Sequence, residues 1–92
     1  MEKLKLNIVY VAKEGCREKF VEEVKKTGVM DLVRAEDGCL VYEYYLGVDK
    51  TNEILLYEEW ENLEKQQIHN GQPHMQTIMD LKAIYIEETK VL

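Results

Sequence analysis

The stretch LKLNIVYVA, residues 4–12, alternates with period two, and halfway along it both alternating sets turn apolar. On a strand, Leu4, Leu6, Ile8 and Tyr10 fall on one face and Lys5, Asn7, Val9 and Val11 on the other. The stretch CLVYEYYLGV, residues 39–48, repeats the property, with Val41 and Tyr45 opposed to Tyr42 and Tyr44. A sheet built from such strands exposes an unusually large apolar patch unless both of its sides are covered.

The remaining segments say what covers them. EILLYEEW, residues 53–60, is a third strand, joined to the second by the polar turn DKTN. From Glu14 the spacing becomes helical, with Cys16, Phe20, Val24 and Leu32 on one side, and predicts a long helix ending before Gly38 with a weak point at Gly28. A second helix opens at ENLEKQQIH with Asn62 as N-cap, breaks at Gly71 and Pro73, and resumes through HMQTIMDL. AIYIEETKVL closes the chain as a fourth strand. The order β-α-β-β-α-β predicts an α+β, ferredoxin-like fold: an antiparallel sheet with its helices on one face. Helices cover only one side, so the expectation is a homodimer whose sheets pack face to face into an α+β barrel. At 92 residues, one domain over 1–92 is expected, with a core small enough to gain from a partner subunit.

Charge narrows the function classes. A net charge of −6, with basic residues scattered among acids, argues against nucleic acid as a partner. No apolar run approaches the roughly 20 residues that cross a bilayer, so no membrane partner is expected. The alternating N-terminal stretch has no leader pattern, which makes the cytoplasm the expected location. Cys16 and Cys39 lack CxxC spacing and are expected as free, partly buried thiols. The chain contains no serine, which excludes a serine nucleophile.

The chemistry-bearing residues cluster around HNGQPHMQ, residues 69–76, which holds both histidines, His69 and His74, and the only proline. Their spacing of five separates two side chains by roughly 140° on an unbroken helix, unlike the spacing of three or four that places two ligands on one face. With no Cys or carboxylate cluster nearby in sequence, no metal is expected. Two readings stay open: histidines that cap a broken helix or satisfy a backbone carbonyl, or an acid/base group near neutrality. Glu58 shares a strand face with Leu56 and Trp60, where an acid must find a partner or shift its pKa upward. It is either a pocket carboxylate or half of a salt bridge. Trp60 is core or pocket wall. Asn7, mid-strand beside Val9, bonds either a substrate oxygen or a neighbouring side chain. Tyr44 belongs to a group of strand tyrosines fit for a cavity wall.

In order and spacing, EDGCLVYEYY, YEEW and HNGQPHMQ resemble the antibiotic biosynthesis monooxygenase family, over nearly the whole chain. The resemblance implies a dimeric α+β barrel and oxygenation of a quinol, anthrone or other electron-rich phenol by dioxygen, with no cofactor. A base deprotonates the phenol, and the anion is oxidisable enough to reduce dioxygen in a dry pocket. It also implies His69 or His74 as the base, Asn7 and a strand tyrosine such as Tyr44 as holders of substrate oxygens, and Trp60 as pocket lining. A haem-degrading branch shares Asn7 but not its helical tryptophan, which falls here at His69. Its haem-ligating histidine falls near Met79. A branch isomerising a phosphorylated signal sugar shares the His-Pro-His segment, yet only Arg17 and Arg34 are present to bind phosphate. A non-catalytic dimeric module that binds a small ligand or serves a stress response is the remaining alternative.

Overall fold

A computed structural model of the chain describes residues 2–92. Its elements are strand β1 (Leu4–Ala12), helices α1 (Arg17–Thr27) and α2 (Val29–Arg34), strands β2 (Cys39–Leu46) and β3 (Glu53–Trp60), helices α3 (Leu63–Asn70) and α4 (Met75–Tyr85), and strand β4 (Ile86–Val91). Every strand pairing is antiparallel, in the order β2-β3-β1-β4. This is the ferredoxin-like arrangement expected from the alternation of elements.

The first helical region divides where the glycine stands. Gly28 takes φ +75° and its N–H bonds the Lys25 carbonyl, which ends α1 in a left-handed turn. The Thr27 hydroxyl donates to the Val24 carbonyl (2.6 Å) and accepts from the Val29 N–H (3.2 Å), so the first polar groups of α2 are satisfied across the joint. The bend lets Phe20 and Val24 of α1 and Val29, Met30 and Val33 of α2 all reach the core. At the other end, Ala83, Ile84 and Tyr85 stay helical rather than opening the last strand. Ile78, Leu81 and Tyr85 continue one helical stripe toward the core, and the Tyr85 carbonyl accepts the Lys13 N–H at 2.8 Å.

Register decides which side chains meet. On β3, Ile54, Leu56, Glu58 and Trp60 all point beneath the helices and are buried, while Glu53, Leu55, Tyr57 and Glu59 face the other side. Tyr42 and Leu6 flank Glu58 across the neighbouring strands, and Tyr44 and Ile8 flank Leu56. The uncovered side carries one apolar row, Tyr45, Leu55 and Val9, ending on Lys90, and next to it the row Glu43, Tyr57 and Asn7. That face is therefore more mixed than strand alternation alone suggests.

Two glycines with positive φ should respond differently to alanine. At Gly28 an added Cβ meets nothing, so Gly28→Ala should cost only the left-handed strain, about 1–2 kcal/mol. At Gly38 (φ +87°) it would fall 2.5 Å from Lys65 Cγ, so Gly38→Ala should lower the urea midpoint further than Gly28→Ala does.

Candidate functional site

Three breaks in regular structure converge at one end of β3. The turn after α2 carries Glu36, with the Glu36 N–H on the Val33 carbonyl and the Cys39 N–H on the Glu36 carbonyl. Glu61 leaves β3 with its N–H on the Gly38 carbonyl (2.8 Å), and Asn62 then caps α3 by accepting the Lys65 N–H at 2.9 Å. That cap aims the last turn of α3 back over the strand, so His69 lies on Trp60 with ring centroids 4.5 Å apart and 5.7 Å from Tyr42. Gly71 and Pro73 end α3 and restart the chain as α4, with His74 at its N-cap.

The helix break brings both histidines to one atom. His69 Nδ1 lies 2.9 Å and His74 Nε2 2.8 Å from Oε2 of Glu36. The carboxylate side chain is 9% exposed, His69 2% and His74 19%. An ionised carboxylate only accepts, so each neutral ring places its proton on the nitrogen facing Glu36. His69 is thereby the Nδ1–H tautomer and His74 the Nε2–H tautomer. The lone pair of His74 then sits on Nδ1, on the more exposed of the two rings, where it can take a proton from an incoming molecule. Neither histidine serves as a side-chain cap of a helix.

Glu58 found its partner next door. Its Oε1 accepts the Trp60 indole N–H at 2.8 Å. Burial pushes its pKa above the ordinary value of 4.5, against the opposing pull of that hydrogen bond and of His69. The thiol of Cys39 is also pushed up, by burial and then by the charges of Glu36 and Glu58, which makes it a poor nucleophile near neutrality.

The predicted site residues fall into three places. His69, His74, Glu58 and Trp60 form one contiguous cluster. Asn7 lies exposed on the opposite side of the sheet, paired with Tyr57. Tyr44 packs with Tyr10, Phe20 and Tyr42 and lines a cavity of about 530 Å³ between α1, α2 and β2. A groove of about 280 Å³ beside the histidine cluster is lined by Glu36, Asp37, Lys65, Ile68 and Gln72. Glu36 was not singled out in the sequence. It heads EDGCLVYEYY, one of the stretches that carry the resemblance, but an acid two residues ahead of the glycine that ends a helical region stands where solvated acids are common.

The family model described as antibiotic biosynthesis monooxygenase matches residues 4–81. Among solved structures, a putative antibiotic biosynthesis monooxygenase from Nitrosomonas europaea superposes with a TM-score of 0.86 at 19% identity, covering 98% of this chain and 86% of that one. A conserved protein from Methanosarcina mazei Go1 gives 0.87 at 19% identity, with coverages of 100% and 90%. A protein from Bacteroides thetaiotaomicron described as a possible oxidoreductase gives 0.81 at 21% identity, with coverages of 98% and 95%. These likenesses concern the fold. No curated protein matches the sequence significantly.

Removing the shared acceptor should be costly. Glu36→Ala strips two enclosed imidazoles of a charged partner and should lower unfolding free energy by about 2–4 kcal/mol in urea titrations. Glu58 should show the opposite trend. A carboxyl whose folded pKa is raised favours folding below its unfolded value of 4.5, and this contribution is lost as pH rises through the folded value. Glu58→Gln keeps an acceptor for Trp60 without that titration. Relative to the variant, the wild-type protein should therefore lose stability as pH climbs from about 4 toward neutrality.

Proposed function

The chain belongs to the antibiotic biosynthesis monooxygenase family, and on that premise we propose that it is a cytoplasmic, cofactor-independent monooxygenase of a quinol or other electron-rich phenol. The observation that carries this reading is the pair of imidazoles on one carboxylate oxygen. His74 is the base: its Nδ1 takes the phenolic proton, and the ring charge that develops is stabilised by Glu36 through Nε2–H. Glu36 and His69 are positioning residues, because they fix the tautomer and angle of the His74 ring. The phenolate then passes an electron to dioxygen, the radical pair combines into a peroxide anion that takes the proton back from the His74 imidazolium, and loss of water from the resulting hydroperoxide leaves the carbonyl product.

We further propose a homodimer through the uncovered sheet face. Its support is the row Tyr45, Leu55 and Val9, with Tyr45 52% exposed, which a second copy would cover. In that assembly Asn7 and Tyr57 lie at the interface rather than at the base. The enclosure of His69 beneath Trp60 favours a second reading, a binding module that holds a ligand without turnover.

Oxygen uptake by the pure protein with a naphthohydroquinone under air separates the two. Turnover above the spontaneous rate is expected, falling about 100-fold or more in His74→Ala and losing its rise with pH. Glu36→Gln should lower kcat more than it raises KM. Uptake that is unaffected by His74→Ala, His69→Ala and the double change would sink the monooxygenase reading, and tight binding without uptake would establish the module.

A further inference from the structure

Strand β2 lies at one edge of the sheet. Its continuation, Gly47, bonds the Glu53 carbonyl through its N–H at 3.2 Å, and alternation from that pair turns the backbone of Tyr45 and Glu43 toward β3. The N–H and C=O groups of Tyr42 and Tyr44 therefore point away from the sheet, where an added strand would meet them. A hollow of about 280 Å³ lies along this edge, with Arg34, Leu40, Tyr42 and Glu43 among its lining residues.

Two of those outward groups are already taken. The Nε of Arg34, at the end of α2, donates to the Tyr42 carbonyl at 3.0 Å. The Tyr44 N–H donates to Oε1 of Glu43 at 3.1 Å, and the same oxygen accepts Nη2 of Arg34 at 3.3 Å, which closes a bracket over the edge. In a parallel pairing, one residue of an incoming strand donates to one carbonyl and accepts the N–H two positions further on. Arg34 and Glu43 reproduce that pattern donor for donor and acceptor for acceptor, so the bracket fills one residue's place in a ladder. An antiparallel strand would lose the same two bonds.

The strand behind the bracket is of the kind that pairs with itself. CLVYEYYL is apolar and aromatic, holds no glycine or proline, and carries Glu43 as its one charge. Leu40, Tyr45 and Leu46 are half exposed along it. A free edge on such a segment is a template for an identical strand. We propose that the β2 edge is a strand-pairing surface for a second copy of this chain, held shut by the Arg34–Glu43 bracket. The surface is separate from the uncovered sheet face offered above for the homodimer, and each stands without the other. Both side chains of the ion pair are well exposed, at 42% and 50%, so the bracket contributes little to stability and opens without unfolding the chain.

Sedimentation velocity over a range of protein concentrations, with amide hydrogen exchange at Tyr42 and Tyr44, tests the proposal. Glu43→Ala and Arg34→Ala should each tighten association about tenfold beyond the wild-type protein's own state, the worth of one hydrogen bond. Should Arg34→Ala fail to fold, Arg34→Lys keeps the charge and removes the Nε donor. The Tyr44 amide of Glu43→Ala should exchange faster than in the wild-type protein when dilute and become protected when concentrated. Glu22→Ala and Lys26→Ala break a comparable exposed pair on α1 and should leave association unchanged. Leu46→Lys added to Glu43→Ala should reverse the gain by returning a charge to the edge. No gain over the α1 controls, or a gain without concentration-dependent protection at Tyr42 and Tyr44, would overturn the proposal.

Discussion

Oxygen Oε2 of Glu36 receives two imidazole nitrogens, from side chains 33 and 38 residues further along the chain. The geometry of the site depends on that atom. It ties the turn after α2 to the end of α3 and the start of α4, and it does so where no sheet pairing reaches. Each bond is to a charged acceptor within a largely enclosed space, so each is worth more than an ordinary surface contact. The same arrangement orients His74 with one nitrogen held and the other left for chemistry. Stability and acid/base competence therefore rest on one carboxylate.

Beneath that network, β3 supplies a rigid floor. Its alternation buries Ile54, Leu56, Glu58 and Trp60 in one line, and the last two are coupled by the indole N–H on the Glu58 carboxylate. Trp60 in turn supports His69 from below. A raised pKa at Glu58 is the consequence of placing an acid in a line of apolar side chains, and the indole bond offsets only part of that cost. The polar groups of this end of the core thus form a chain from Glu58 through Trp60 and His69 to Glu36 and His74. The buried Tyr44 hydroxyl, by contrast, has no hydrogen-bond partner among the described residues.

Strand boundaries were legible because period-two alternation and turn chemistry coincide: β1 and β3 run over the residues expected of them, Leu4–Ala12 and Glu53–Trp60. The weak point at Gly28 and the break at Gly71 and Pro73 were legible for the same reason, that glycine and proline act locally. What alternation cannot supply is register. Asn7 and Trp60 lie on opposite sides of the sheet, but parity along β1 says nothing of β3 until the pairing Asn7 to Tyr57 is known. The role of Glu36 was invisible for a related reason. An acid before a glycine in a helix-ending turn carries no periodic signal, and its role comes only from two partners brought to it by a break more than 30 residues away. The break itself was legible; the atom on which the two rings meet was not.

The proposed acid/base chemistry turns on the protonation pattern that one shared oxygen imposes. Long-range proton–nitrogen correlation spectra of the two imidazoles, recorded at a pH where both rings are neutral, read that pattern directly. Opposite tautomers are predicted, Nδ1–H on His69 and Nε2–H on His74, with both signals changing together in Glu36→Gln. Two rings in the same tautomer, or a His74 spectrum indifferent to Glu36, would contradict it.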